Sequence, residues 1–585
     1  MFTCLAPAAV ALAVSCPQES EADPSPPPAF RDVSEASGLR LNNFEPDPEV
    51  KIPINDHSRL AFAELNGDGR DDVVMHSLFP NPQRGIPFEH LVFLNRGGVR
   101  FGDFSDASGL RRVQAAFFAF ADVDGDGDQD LFAGLDLDGY GDHTSSLRLN
   151  DGSGRFAARA ESGVEGAPFF RAACATFADF DGDAALDLFV GNGGTSAAAP
   201  DFLYAGDGEG GFTDVSGRLA NRPSQPSNGC LTADYDDDGD LDVFVSTYGV
   251  SRLRGLNHLW ENDGEGRFAE VAVARGFAAL ATGNPWVADG GQPVETGRGP
   301  GEHVGSNGFG LDCGDVDGDG HLDLFLTAIS HPAAGDYLRR WSDSSQLLIN
   351  GGPEAGYAFT DRWLERGLPF NEGDVDGALI DYDNDGRLDL SISRDRKYER
   401  RYADLEQKAW FGLMRQRADG GFASVGYASG INDPAGELLR MKSAQNHAWS
   451  DVDGDGDLDL LVGGRDQGGG RPNFLFENLV GQDAHWLAVR VEGDGEQVDR
   501  DGFGTRLRLH SAAGVQLREK KSARGMYNSE DTRVLHFGLG SEVGELALEV
   551  RWLEGTTARF EGAPLAAGAY LRLRYPDRLE REERR

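Results

Sequence analysis

Asp451–Asp459 reads DVDGDGDLD and runs straight into the apolar stretch Leu460-Leu461-Val462. The same nine-residue pattern (acid, x, Asp or Asn, x, Asp, Gly, x, x, Asp) occurs at Glu64–Asp72 (ELNGDGRDD), Asp122–Asp130 (DVDGDGDQD) and Asp179–Asp187 (DFDGDAALD). It returns at Asp234–Asp242 (DYDDDGDLD), Asp315–Asp323 (DVDGDGHLD) and Asp381–Asp389 (DYDNDGRLD). Successive starts lie 58, 57, 55, 81, 66 and 70 residues apart. Self-similarity at such a period marks a repeat architecture, in which each unit buries its apolar face only against its neighbours.

Working outward, each copy sits between strand-like segments. AAFFAFA precedes Asp122, and LFAG, LFVG, VFVS, LFLT, LSIS and LLVG follow the loops. A third element ends at a turn (FLNRGG, RLNDGSG, YAGDGEG, WENDGEG, LINGGP), and a fourth opens with Phe (FSDASGL, FTDVSGRL). Four short strands with Gly, Asn and Asp turns at fixed places make one propeller blade. The reading is all-β: a seven-bladed β-propeller over residues 30–480. Phe30 to Leu39 (FRDVSEASGL) is a fourth strand with no blade before it, and the seventh repeat ends at Asn478 without one. The N-terminal strand is therefore expected to complete the last blade and close the ring, removing open sheet edges.

The loops have the chemistry of a hard-cation site. Positions 1, 3, 5 and 9 supply side-chain oxygens: Glu64, Asn66, Asp68 and Asp72, then Asp122, Asp124, Asp126 and Asp130, then Asp179, Asp181, Asp183 and Asp187. The later loops offer Asp234, Asp236, Asp238 and Asp242, with Asp315, Asp317, Asp319 and Asp323 after them. Asp381, Asp383, Asp385 and Asp389, and finally Asp451, Asp453, Asp455 and Asp459, complete the set. Position 7 offers a backbone carbonyl and Gly at position 6 permits the bend, as in the front half of an EF-hand loop. All-oxygen ligation suits Ca²⁺ rather than zinc or copper, and Mg²⁺ demands stricter geometry. Up to seven structural Ca²⁺ are expected. Glu64 in the first loop and Ala184 at position 6 of the third depart from the pattern, and these two sites are expected to be the weakest.

Bulk composition agrees. Asp and Glu number 97 against 55 Lys and Arg, a formal charge of −42, so nucleic acid is excluded as a partner. Disorder is excluded by 39% hydrophobic residues and 35 Phe. Cys174, Cys230 and Cys313 do not make a disulfide framework. Residues 1–16 (MFTCLAPAAVALAVSC) read as a signal peptide or lipoprotein leader, with Cys16 a candidate lipid anchor, and 17–29 as a Pro-rich linker. No later segment is apolar enough to be a transmembrane span. The protein is expected to be secreted, periplasmic or held at the outer surface. Residues 481–575 alternate at period two (WLAVRVEG, TRLRLHSA, RVLHFGLG, ELALEVRWL, YLRLRY), which predicts a small antiparallel β-sandwich. Residues 576–585 read as a charged, solvated tail.

The D-x-D-x-D-G-x-x-D-L loops between short strands resemble the FG-GAP (VCBS-type) repeats of integrin α-subunit propellers. Residues 500–506 (RDGFGTR), 535–540 (LHFGLG) and 550–552 (VRW) resemble the ASPIC/UnbV domain, although this chain carries Arg524 to Ser529 (RGMYNS) where that domain often has a Ser-rich turn. The combination, from about Phe30 to Tyr575, is similar to the cartilage acidic protein family and its bacterial relatives. That resemblance implies an integrin-α-like propeller in a secreted or surface calcium-binding protein with adhesion or matrix roles, and no known catalytic residues.

The functional expectation is a binding or adhesion module for an extracellular glycan, matrix or protein ligand. A polysaccharide-acting enzyme on the same scaffold is the alternative, since acidic pairs cannot be told from calcium ligands by sequence. No HExxH, G-x-S-x-G, P-loop or Rossmann glycine run is present. His447 and His303 read as structural histidines. Two insertions, 276–310 with Trp286 and 394–411 with its basic-aromatic run RDRKYERRY and Trp410-Phe411, are candidate ligand contacts because long loops on rigid scaffolds carry function.

Overall fold

A computed structural model describes residues 29–39, 58–77, 89–135, 144–165, 171–193, 199–248, 256–278, 287–288, 292–293, 308–329, 345–369, 371, 373–395, 409–432, 444–464, 473–525 and 528–582. The expected leader and most of the linker lie outside the described residues. So do Trp286, His303 and residues 396–408 of the two insertions.

Among the described residues, seven four-stranded antiparallel sheets follow the seven loops. The first blade comprises Ser58–Ala63, Asp72–Ser77, His90–Asn95 and Phe101–Asp103. The last comprises Ala444–Ser450, Asp459–Gly464, Asn473–Asn478 and, from the other end of the chain, Phe30–Asp32. Phe30 pairs with Asn478 and Asp32 with Phe476. The terminal strand thus completes the seventh blade and covers an edge that would otherwise be open.

The first two strands of a blade are buried on both faces because each blade is sandwiched between neighbours. Phe117–Ala121 (FFAFA) and Asp242–Thr247 (DVFVST) are buried at every residue. Their sequences are accordingly near-continuous apolar or small runs rather than alternating ones. Apolar clusters lie at each blade-to-blade interface. Leu65 and Phe118 join blades one and two, and Phe177 and Trp260 blades three and four. Leu231 and Leu324 join blades four and five, Phe325 and Leu390 five and six, and Ile380 and Leu460 six and seven. Leu60 and Leu461 then join blade one to blade seven, so the ring is closed by packing as well as by the strand swap. The aromatics of the second insertion are part of this core: Trp410 and Phe411 are 3% and 0% exposed, and Arg394 is buried against Asp374 at 3.0 Å. That removes them as surface contacts.

Residues 485–581 form two further four-stranded sheets. Leu487, Phe537 and Leu571 of one face Leu507, Leu548 and Trp552 of the other across a shared core. Two expectations need correction. The sandwich is not wholly antiparallel, because His485–Glu492 runs parallel to Ala569–Arg574. The charged end is not an unpaired tail either: as far as Arg581 it is a surface strand. Arg578–Arg581 is a strand on Ala569–Arg574, and Glu582 pairs with Arg490 and Arg572. Its charges alternate in a way that matches cations already on the neighbouring strands, so pairing outweighs solvation.

Candidate metal centres

Every acidic loop is the hairpin between the first and second strands of its blade, so all seven open at the same end of the ring. The register is common to all: the residue before position 1 pairs with the Asp at position 9, as in Ala63↔Asp72, Ala233↔Asp242 and Ser450↔Asp459. The ninth Asp is buried and anchored in each blade. One of its oxygens accepts the backbone N–H that ends the third strand: Asn95, Asn150, Gly206, Asn262, Asn350, Gln416 and Asn478, at 2.7–2.9 Å.

The side chains of those third-strand residues were not read from the sequence as functional, yet they tie the loops into a ring. Asn95, Asn150, Asn262, Asn350, Gln416 and Asn478 each donate to the carbonyl of position 2 in the preceding blade's loop, at 2.7–2.9 Å. Blade three has Gly206 instead, where a Cβ would meet the Leu186 carbonyl at 2.2 Å. The signal was the Asn recurring at the end of the third element.

Position 1 closes the turn. Asp179 Oδ1 accepts the N–H groups of Gly182 and Asp183, and Asp451 accepts those of Gly454 and Gly456. In the first loop Glu64 Oε1 accepts three, from Asn66, Gly67 and Asp68. Positions 4 and 6 are left-handed in all seven loops. Gly fills most of them, but Asp237 (φ 61°) and Asn384 (φ 57°) stand at position 4 and Ala184 (φ 68°) at position 6. Ala184 therefore keeps the turn that Gly makes elsewhere, at a steric cost.

What remains are buried carboxylate oxygens without a partner. Oxygens of Asp122, Asp124, Asp181, Asp234, Asp236, Asp242, Asp383 and Asp389 are inaccessible and bonded to nothing in the protein. Ligand atoms of Asp122, Asp124 and Asp130 lie within 4.8 Å of one another, as do those of Asp179, Asp181 and Asp187, and of Asp315, Asp317 and Asp323. In loops four and six the converging sets are Asp234, Asp236 and Asp238, and Asp381, Asp383 and Asp385. Uncompensated burial of this kind costs several kcal/mol per charge unless a cation is present or a proton is taken up. Burial, reinforced by neighbouring carboxylates, pushes Asp72, Asp130 and Asp187 up to about 8 and Asp122, Asp236 and Asp381 up to about 7. The donor set fits a hard divalent cation and no soft one.

Two further residues join the set. Position 7 was expected to contribute only its carbonyl, but the Asp240 and Asp457 side chains are turned inward. Both Asp457 oxygens and one of Asp240 are buried and unpartnered. Arginines compete elsewhere. Arg415 lies 2.6 Å from Asp383 and 3.2 Å from Asp385, and Arg218 lies 2.9 Å from Asp181. Among the described residues no ion pair involves Asp124, Asp126 or Asp130 of loop two, or Asp453, Asp455, Asp457 or Asp459 of loop seven.

Residues 122–190 and 179–245 match the FG-GAP-like repeat model, and residues 495–580 match the ASPIC and UnbV model. The chain carries FG-GAP-like repeats over residues 122–245 and an ASPIC and UnbV domain over residues 495–580. It is 23% identical over 331 residues to cartilage acidic protein 1 of Xenopus tropicalis, a match covering 55% of this chain and 42% of that protein. The matched region thus spans less than half the length of that relative. Among solved structures it is similar to the exotype rhamnogalacturonan lyase YesX (13% identity, 75% of this chain, 63% of that chain, TM-score 0.36). It is also similar to the SapL1 lectin in complex with alpha methyl fucoside (10% identity, 64% of this chain, 97% of that chain, TM-score 0.32). TM-scores this low assign neither ligand nor reaction.

The ASPIC and UnbV domain sits on the loop end of the FG-GAP propeller. Asp501 accepts the Asp122 N–H at 2.8 Å, the Gly538 N–H reaches Asp381 at 3.1 Å and the Tyr570 hydroxyl donates to Asp451. Arg551 lies 3.3 Å from Asp234, and Arg506 pairs with Asp237. The described residues on either side of the turn that departs from the domain's pattern form an axial plug. Residues 521–525 and 528–532 touch the innermost strand of every blade. The Glu530 carbonyl accepts from Phe62, its carboxylate from Phe120, Asn528 brackets Ala175, and the Gly525 carbonyl accepts from Cys230. Lys521 pairs with Asp312, Arg524 with Asp376 at 3.0 Å, and Asp531 accepts from Trp449 at 2.8 Å. Strand edges facing the axis carry unpaired backbone groups, and the plug satisfies them. His447 is a satisfied core residue, fully buried between Ser391, Ser393 and Asp376.

Proposed function

We propose that this protein is a calcium-binding propeller that acts outside the cytoplasm as a binding or adhesion module for a glycan, matrix or protein ligand. The observation that carries the calcium reading is the recurrence of buried, unpartnered carboxylate oxygens at matching positions of loops two, three, four and six. A solvated acidic turn would expose those oxygens or pair them. Seven divalent ions would add 14 charges to −42 and leave −28. Binding energy at such loops becomes folding energy, because the site does not exist in the unfolded chain. Extracellular modules of this kind hold calcium with dissociation constants of roughly 10⁻⁴–10⁻³ M.

The ions would also organise the domain interface, since Asp122, Asp234, Asp381 and Asp451 meet the ASPIC and UnbV domain directly. The expected export agrees with a rigid, cysteine-poor scaffold stabilised by metal. No helix among the described residues is long and apolar enough to cross a membrane. The test is calorimetric titration of chelator-stripped protein with CaCl₂. Saturable heat and a raised melting temperature support the reading, and no heat at millimolar calcium ends it. A glycan array read together with reducing-sugar release then separates binding from turnover.

A further inference from the structure

Between the first two metal loops and the ASPIC and UnbV domain lies a cavity of about 370 Å³. That is the size of a small-molecule site. Its walls come from both domains: Glu64, Asp71, Asp122, Asp128 and Gln129 from the propeller, and Arg490, Arg500, Asp501, Lys520 and Arg533 from the sandwich. Most of the cations at this interface are consumed by carboxylates. Arg490 and Arg572 pair with Glu582, Arg574 with Glu492, and Arg533 with Asp501 at 3.2 Å.

Two cations are not consumed in this way. Lys520 is 4% exposed, and its ammonium donates to the Arg533 carbonyl. Arg500 makes one long bond, 3.4 Å, to the Gly493 carbonyl. Among the described residues neither forms an ion pair. An ammonium has three donors and a guanidinium five, so both retain unused donors at the cavity. Two carboxylates on the facing wall are similarly under-used. Asp71 is 5% exposed and accepts from the Ser450 hydroxyl at 2.6 Å, and among the described residues neither Asp71 nor Asp128 forms an ion pair. A buried ammonium that forms no direct ion pair is costly, and an arriving anion would relieve that cost. Burial, with the Arg533 and Arg490 guanidinium groups nearby, pushes Lys520 down to about 7, although Asp501 and Asp71 pull the other way.

The cavity therefore asks for one negative group and several hydroxyl donors on a single small ligand. We propose that it binds an acidic sugar unit of the hexuronate class, with the carboxylate held by Lys520 and Arg500 and ring hydroxyls donating to Asp71 and Asp128. This names a ligand class for the binding role proposed above and rests on that reading. Glu64 and Asp122, the first positions of loops one and two, line the same wall, so ion-filled loops would neutralise two of its negative charges and strengthen anion capture.

The test uses the full chain at saturating calcium and constant ionic strength, with galacturonate, glucose and inorganic phosphate as probes in calorimetry and saturation-transfer NMR. Galacturonate is expected to bind, glucose not to bind, and phosphate to bind at least about tenfold more weakly. Lys520→Met should lower galacturonate affinity by about tenfold or more. Arg500→Gln, at an exposed position that cannot compromise folding by burial, should lower it several-fold. Arg508→Gln, outside the cavity, should leave it unchanged. Phosphate binding as tightly as galacturonate overturns the sugar assignment, and glucose binding equally well overturns the role of the cations. No galacturonate binding in protein that takes up calcium with heat overturns this inference alone. Absence of calcium heat overturns the reading beneath it.

Discussion

Replacing Arg524 with Met tests whether the axial plug holds the two domains together. The Arg524 side chain is 3% exposed and makes five bonds, to Asp376 (3.0 Å), both oxygens of Asp531 (2.6 and 3.1 Å), and the carbonyls of Gly377 (2.9 Å) and His447 (2.6 Å). Burial would push the Asp376 carboxyl up, but Arg524 and His447 outweigh it and hold the group well below the usual carboxylate range. Methionine fills the volume of the stem and removes the charge. Asp376, 1% exposed, would keep only the Ser529 hydroxyl (3.0 Å) and the His447 amide and ring. Removing one partner of a buried pair costs about 3–5 kcal/mol because the other charge is stranded. Arg524→Met should therefore lose about that much in urea unfolding followed by tryptophan fluorescence at saturating calcium. Asp376→Asn on the Arg524→Met background should recover about 2 kcal/mol or more, a coupling typical of residues in one network. A loss below about 1 kcal/mol for Arg524→Met, or strict additivity in the double mutant, would refute the idea that this ion pair locks the plug.

Other outcomes follow from the loops. In chelator, the fold holds protons on Asp72, Asp130 and Asp187 up to about 8 that the unfolded chain releases near its ordinary value of 3.8, so apo stability should fall as pH rises from 5 to 8. Calcium should flatten that slope, and melting curves at pH 5.5 and 7.5 with and without the ion check the sign. Arg415→Met frees Asp383 and Asp385 in loop six and should raise calcium affinity there, read as an added or tightened phase in calorimetry. Asn262→Ala removes the donor to the Phe180 and Leu241 carbonyls at 2.9 and 3.3 Å and should cost about 1–3 kcal/mol in urea unfolding. Asp457→Asn should weaken calcium uptake in loop seven as much as Asp459→Asn does, if the inward position-7 side chain is a ligand.

Much of the architecture was legible because it is repetitive. The spacing of the loops, the apolar runs after them and the orphan strand at Phe30 foretold a closed ring, and the pairing of Phe30 with Asn478 realises it. The convergence of the first, third and ninth side chains in loops two, three and five was legible because a cation loop needs oxygens at fixed offsets on one turn. The inward side chains of Asp240 and Asp457 were not, because a position that offers a carbonyl gives no hint of where its own carboxylate points. The Arg415 competition joins residues 30 or more positions apart and leaves no local trace. The tail was misread for a related reason. Arg578–Arg581 looks solvated by charge alone, and only the neighbouring strand shows that its charges are already matched.

Sequence alone determined the blade plan: where the acidic turns recur, which residues present carboxylates, and which short runs make the strands. Those are properties of short segments, set by side-chain volume, backbone freedom and period. Tertiary structure alone decided that Arg524, Asn528 and Glu530 reach the inner strands at the axis, that the second domain covers the loop end, and that Lys520 lines a cavity with no direct ion pair. Each of these depends on groups hundreds of residues apart meeting in a low-dielectric space, where the strength of an interaction is set by what surrounds it rather than by what adjoins it in the chain.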